Sequence, residues 1–507
     1  MPTDLPHHTT VVHMLAAAAA RAPQAEALVC GDVRLTYVQY ARCVSGYARE
    51  LQARGARGAR VALLVANSVE AAIMSFAIQA AGAVFCPMNP AYTARELVDM
   101  LADAGCTIAV CDDAAAATLG DQAVALKLDV VRVGTDSAAF AARWAEDWAQ
   151  ALDDLLPDAA TLGMIQYTGG TTGRSKGVML THAAVAANVR QREALLPTEP
   201  GDRFLCMMPL FHSFAMAMNL YQAVWCAGAL VILPRYRPDW VLDILVRERI
   251  TVLPAGATVY IGLLGFDGFA TTDFSRLRIC YSGASALPAE ILRRWQEATG
   301  CAIYEGYGQT EAGPILTYNS PLFPVKPGKV GKVLPDTEVQ IVDVETGTKV
   351  LPVGESGEIR ARGPQLMLGY WNRPEETAAT LRDGWLYTSD IGAIDDDGYL
   401  AIQDRKKDMV ITGGYNVYPR EVDDVLLTHP AVHEAATFGV PDSYRGEIVR
   451  SHVVLRAGTS ATVDDLLAHC RANLAKYKVP AALAVVDALP KTSVGKIDKK
   501  ALRAALS

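Results

Sequence analysis

Tyr167 to Gly177 reads YTGGTTGRSKG. Its glycines let backbone N–H groups approach an anion closely, its hydroxyls add donors, and Lys176 adds one positive charge. That is the chemistry of a phosphate-binding loop, with Thr168, Gly169, Gly170, Thr171, Thr172, Gly173 and Lys176 as candidate contacts. The spacing does not fit G-x-x-x-x-G-K-[ST], because the lysine falls three residues after Gly173 and is followed by Gly177. A flexible Gly/Thr turn has the same composition, so the loop acquires meaning from its companions.

Four companions follow along the chain. In EGYGQTEAGP (305–314), Glu311 beside Thr310 could hold Mg²⁺ between phosphates, since that ion favours oxygen ligands and few carboxylates. Tyr307 could stack on a base. In GWLYTSDIG (384–392), Asp390 could accept both hydroxyls of a ribose, or it could close an Asx-turn. DRKKDMVITGGYNVYPREVDDVL (404–426) has a charged start and a Gly413–Gly414 pair, which suggests an exposed, bendable junction. In LPKTSVGKIDKKALR (489–503), Lys496 stands on a short loop before a terminal helix, a place where a lysine is ordinarily just solvated.

Positioning these stretches takes more than one core. A chain of 507 residues implies at least two domains. Up to about residue 320, strand-like runs alternate with Ala-rich amphipathic stretches. The runs are RVALLVA (60–66), VFCPMN (84–89), TIAVCD (107–112), GMIQYT (163–168), ALVILP (229–234) and RICYSG (278–283). The stretch VEAAIMSFAIQAAG (69–82) is an example of the helical spacers. Such alternation predicts an α/β domain with parallel sheet and helices on both faces. GMIQYT is expected to be a strand, and THAAVAANVRQRE a helix capped by Thr181, with the loop between them.

The character changes near residue 330, where short β runs rich in Gly and Asp predict a β-rich subdomain over 330–404. Beyond it, PREVDDVLLTH, HEAATFGV, VRSHVVLR and VDDLLAHCRANLA predict a small α+β domain over 405–507, leaving 1–404 as the large N-terminal domain.

Composition is that of an ordinary globular protein, 51% hydrophobic and 20% charged, with a net charge of −8 that gives no general affinity for nucleic acid. The ten cysteines form no CxxC pair, which suits core thiols in a reducing cytoplasm. No signal-peptide pattern is seen at the start. Phe204 to Leu233 carries no Asp, Glu, Lys or Arg, but Pro209, His212, Ser213, Asn219 and Gln222 interrupt it. A buried helix feeding a buried parallel strand explains it better than a membrane span and leaves at most peripheral membrane association.

Taken together, the five stretches resemble the adenylate-forming superfamily of acyl-CoA synthetases, luciferases and peptide-synthetase adenylation domains. The wording YTGGTTG, PLFHSFAM, GPQLMLGYWNRP, DRKKDMV and GGYNVYPREVDDV is most similar to medium- and long-chain fatty-acyl-CoA ligases. GYGQTEAGPIL is also similar to plant coumarate-CoA ligases, which keeps an aromatic acid open.

The resemblance implies roles. The loop from Thr168 would hold the outer phosphates of ATP. Ser282, Gly283, Ala284 and Ser285 would line the adenine site, with Tyr307 on the ring and Gly308 and Gln309 beside it. Thr310 would meet the α-phosphate, Glu311 the Mg²⁺, and Asp390 and Arg405 the ribose. Lys407 would be the hinge of a mobile C-terminal domain and Lys496 the catalytic lysine of adenylation. Gly413 and Gly414 would border the pantetheine tunnel of coenzyme A, and His212 would gate the acyl carboxylate. Helix 211–222 and segment 255–262 would wall the acyl tunnel. The thiol acceptor would be coenzyme A or a carrier-protein phosphopantetheine, in a monomer or homodimer. Three positions depart from the family pattern: Ser175 for a proline, Ser389 for a glycine, and Ala257–Thr258 for a Val-Pro step.

Overall fold

The computed structural model describes residues 5–134, 136–145, 152–168, 175–283, 285, 287–412, 415–491 and 497–505. The chain forms two compact units, Met1–Glu338 with Ala361–Leu386, and Val339–Arg360 with Tyr387–Ser507. The expected β-rich segment therefore divides between them.

Two sheets organise the first unit. In one, the strands Ile303–Tyr307, Ile279–Ser282, Val252–Ala255, Arg203–Cys206, Ala229–Ile232 and Glu26–Cys30 lie side by side and parallel. Antiparallel strands close both edges. The other sheet runs Gly369–Tyr370, Lys176–Thr181, Leu162–Thr168, Val84–Pro87, Arg60–Leu64, Ile108–Cys111 and Asp129–Arg132. Its last five strands are parallel. All six strands expected from the sequence are present, because each is a short, mostly apolar run whose middle a two-faced sheet buries.

Two expectations are corrected. The stretch at 69–82 forms the helix Val69–Ala80, but it is buried on every side rather than amphipathic, Glu70, Ser75 and Gln79 included. Phe76 meets Tyr40 on one flank and Tyr221 on the other, so no face is left for water. The loop after Thr168 does not run directly into the helix His182–Leu195. The strand Lys176–Thr181 comes between, paired antiparallel with Leu162–Thr168. Thr181 does cap the helix, its hydroxyl accepting from Ala184 N at 3.0 Å.

The uncharged stretch from Phe204 folds as a strand, a buried helical segment over 213–226 and the parallel strand Ala229–Ile232. The middle of that helix, Met216–Tyr221, is wound as a π-helix, a form that often marks functional sites. Among the described residues no helix is long and apolar enough to cross a membrane.

In the second unit, the strands Tyr415–Val417, Val410–Thr412, Gly446–Leu455, Val432–Asp442 and Ala482–Val485 make one sheet. Helices Pro419–Leu427 and Val463–Asn473 cover it through Val422, Leu426, Leu466 and Cys470, packed on Val432, Val449 and Val453. Asp404 ties the helix Pro419–Leu427 to the preceding strand, since its Oδ2 accepts from Arg420 N at 2.8 Å.

Candidate active site

The first unit gathers most of the expected contacts at the C-terminal ends of its strands, where open α/β sheets bind ligands. Thr168 ends one strand and pairs across the hairpin with Lys176. Gly169, Gly170, Thr171, Thr172 and Gly173 lie outside the described residues, as does Ala284. The hairpin base is anchored. Tyr167 donates to Asp103 Oδ2 at 2.7 Å, and Asp103 also receives Arg373 Nη2 at 2.9 Å and, at its carbonyl, Trp371 Nε1 at 2.9 Å. Burial, followed by the Asp103 carboxylate, holds the Tyr167 phenol well above its usual range, so it remains a donor.

In the other sheet, Ser282 closes the strand Ile279–Ser282, wholly buried, and Gly283 follows it. A Cβ on Gly283 would stand 2.7 Å from the Phe214 ring, so glycine is what lets that ring close over the strand end. Ser285 is exposed. Tyr307 ends the strand Ile303–Tyr307, and Gly308 and Gln309 lead into the single 3₁₀ turn Thr310–Ala312. That turn is fixed from two sides. Ser213 Oγ lies 3.3 Å from Thr310 Oγ1, and Met367 N donates to Glu311 O at 3.0 Å. Glu311 Oε1 accepts from the Tyr370 hydroxyl at 2.8 Å, which leaves Oε2 to take another partner. Lys176 Nζ rests 4.9 Å from the centre of the same tyrosine ring.

His212 caps the helical segment that begins at Ser213. Its Nδ1 accepts from Phe214 N at 3.2 Å, which assigns the ring proton to Nε2. The structure thus brings Thr168, Lys176, His212, Ser282, Gly283, Tyr307, Gly308, Gln309, Thr310 and Glu311 into one unit.

Asp390, Arg405 and Lys407 belong to the second unit. Asp390 and Arg405 are cross-strand partners, with Arg405 Nε 3.8 Å from Asp390 Oδ1. Lys407 is exposed in the turn between the strands Leu400–Arg405 and Val410–Thr412. Gly413, Gly414 and Lys496 lie outside the described residues. The flanks of the Lys496 segment are secured, since Lys491 bridges Ile497 and Asp498 N donates to Pro490 O at 2.8 Å.

Ser389, just before Asp390, adopts φ +58°. A side chain in that left-handed region costs about 1–2 kcal/mol, which is the physical reason a glycine suits the position. Ser389→Gly is expected to raise the thermal midpoint slightly, the relieved strain exceeding the added chain entropy. A lowered midpoint in a melting experiment would show that Ser389 pays its way through contacts instead.

Two contributors went unnoticed in the sequence. Ser213 sits inside the quoted PLFHSFAM and Tyr370 inside GPQLMLGYWNRP, yet neither stretch says which residue turns toward Glu311 or Thr310.

Residues 15–371 match the AMP-binding enzyme model and residues 421–496 the AMP-binding enzyme C-terminal domain. The chain belongs to the AMP-binding enzyme family. This AMP-binding enzyme is 36% identical to a long-chain-fatty-acid–CoA ligase of Bacillus subtilis, over 99% of this chain and 96% of the relative. It is also 36% identical to a feruloyl-CoA synthase of an Amycolatopsis species, over 95% and 96%. Among solved structures, ATP-bound MatB from Rhodopseudomonas palustris superposes with a TM-score of 0.91 at 34% identity, covering 98% of this chain and 99% of that one.

Proposed function

We infer that this AMP-binding enzyme is an ATP-dependent acid–CoA ligase acting on medium- or long-chain fatty acids. The acid's carboxylate attacks the α-phosphorus of ATP, giving an acyl-adenylate and pyrophosphate. The thiol of coenzyme A then attacks the acyl carbonyl, and AMP leaves. The near full-length likeness to a long-chain-fatty-acid–CoA ligase carries this reading.

A carboxylate is already a nucleophile, so the first half-reaction needs no Ser–His or Cys–His activation; it needs positioning and charge neutralisation. The loop beginning at Thr168 and the Lys176 ammonium hold the departing pyrophosphate. Thr310 donates to the α-phosphate, and Ser213 orients its hydroxyl. Ser282 to Ser285 with Tyr307 flank the adenine, and Asp390 with Arg405 hold the ribose. Lys496 bridges the two approaching anions and must withdraw before the thiol enters, a movement hinged at Lys407, after which Gly413 and Gly414 border the thiol's approach. His212 gates the carboxylate.

Glu311 offers one free carboxylate oxygen, which fits Mg²⁺, an ion usually held by one or two carboxylates together with substrate phosphates. Bound there, Mg²⁺ supplies neutralisation of phosphate charge. A cytoplasmic setting accords with ten free thiols.

A second acid class has one specific support, the feruloyl-CoA synthase likeness at equal identity. A pyrophosphate-release panel from acetate to stearate, with cinnamate-type acids alongside, separates the two. Release only with fatty acids is expected, and release only with aromatic acids overturns that choice. Thioester formation with free coenzyme A, against a phosphopantetheinylated carrier protein, tests the acceptor.

A further inference from the structure

Tyr370 is a buried aromatic whose two faces of chemistry are both in use. It is 7% exposed and lies in the two-residue strand Gly369–Tyr370, held against Val178 and Met179. Its neighbour Trp371 N donates to Gly177 O at 2.7 Å, so the strand is stitched to the hairpin that carries Lys176. Its hydroxyl donates to Glu311 Oε1 at 2.8 Å, and its ring face supports Lys176 Nζ at 4.9 Å. Lys176 and Glu311 make no ion pair with each other, although both reach the same side chain.

We propose that Tyr370 is a positioning residue that presents Glu311 to the metal and keeps Lys176 from neutralising it. This rests on the reading of Glu311 as the Mg²⁺ contact. The phenol occupies Oε1 and so points Oε2 at the nucleotide phosphates. A carboxylate that ligates a metal is itself normally fixed by a hydrogen bond from behind, and removing such a partner weakens metal binding about 10–100-fold. The ring has a separate duty. Both groups reach Tyr370, and without the ring the ammonium would be drawn to the carboxylate, leaving neither for ATP. Cation–π attraction gives the ammonium a resting place that it can leave for a phosphate, since that contact is weak beside an ammonium–phosphate pair.

The two duties separate by substitution. The full-length protein is loaded with α,β-methylene-ATP, and Mn²⁺ retention is read from its paramagnetic resonance signal. Nucleotide binding without metal is measured by calorimetry. Tyr370→Phe keeps the ring and loses the hydroxyl, so it should weaken Mn²⁺ retention about 10-fold with metal-free nucleotide binding unchanged. Tyr370→Leu loses both, so metal-free nucleotide binding should fall as well, because Lys176 is captured by Glu311. Wild-type Mn²⁺ retention in Tyr370→Phe overturns the positioning role. Unchanged metal-free binding in Tyr370→Leu overturns the spacer role. Glu311→Gln is measured alongside, and unaltered Mn²⁺ retention there removes Glu311 as the metal contact, a failure distinct from that of Tyr370. Wild-type melting curves for Tyr370→Phe confirm that the loss is local.

Discussion

Replacing Lys496 by alanine is expected to slow adenylation by about 10²–10³-fold and to leave thioester formation from supplied acyl-adenylate close to the wild-type rate. The size follows from what one preorganised donor contributes where negative charge converges. A carboxylate and an α-phosphate repel each other as they close, and a single ammonium between them converts that repulsion into two attractions. The same ammonium has no task in the second half-reaction, where a neutral thioester forms and AMP departs. The described residues on either side of Lys496 are fastened independently of it. Its segment is closed at its base by the Lys491–Ile497 bridge and followed by the helix Lys499–Ala504, which Asp498 caps and Lys499 ties to Asp423 at 3.5 Å. Carboxylate-dependent exchange of labelled pyrophosphate into ATP reads the first half, and thioester release reads the second. Equal losses in both would mean that Lys496 holds the fold or the nucleotide rather than the reacting anions.

Gly308→Ala should cost adenylation at least about 10²-fold, the loss expected when reacting groups are misplaced by roughly 1 Å. A Cβ on Gly308 would lie 2.0 Å from Pro314 O and 2.8 Å from Ile315 Cα. Both are backbone, and neither can yield. Leu316 N donates to Tyr307 O at 2.9 Å, and Asn188 clamps Ile315 through both its N–H and its carbonyl. The displacement therefore passes into the turn Thr310–Ala312, which carries Thr310 and Glu311. Because the damage is confined to that loop, a circular dichroism spectrum should remain that of the wild type. Full pyrophosphate exchange in Gly308→Ala would show that the loop relaxes without moving Thr310.

Local pattern revealed the elements that are short and mostly apolar. ALVILP and RICYSG could only be buried strands, and the Thr181 cap was visible as a hydroxyl before a helical run. Three things were hidden. The strand Lys176–Thr181 has too few residues to declare a period, and its antiparallel pairing with Leu162–Thr168 has no signature within the strand itself. The helix Val69–Ala80 looked amphipathic because Glu70, Ser75 and Gln79 are polar. Yet Ser75 and Gln79 bond back to the backbone of their own helix, and Glu70 receives Ser137, so polarity did not mean exposure. The bond between Tyr370 and Glu311 joins residues 59 apart, and no periodicity in one strand reports what another strand places beside it. The unusual Ser389 was flagged by comparison with a glycine, and its left-handed backbone supplies the reason.

His212 fastens the first turn of the helical segment by taking the Phe214 N–H on Nδ1. If His212 gates the carboxylate as proposed, the door would double as a latch: turning the imidazole aside would strand that N–H at a cost of about 1 kcal/mol, and an incoming acid would have to make up what the departing ring gave away.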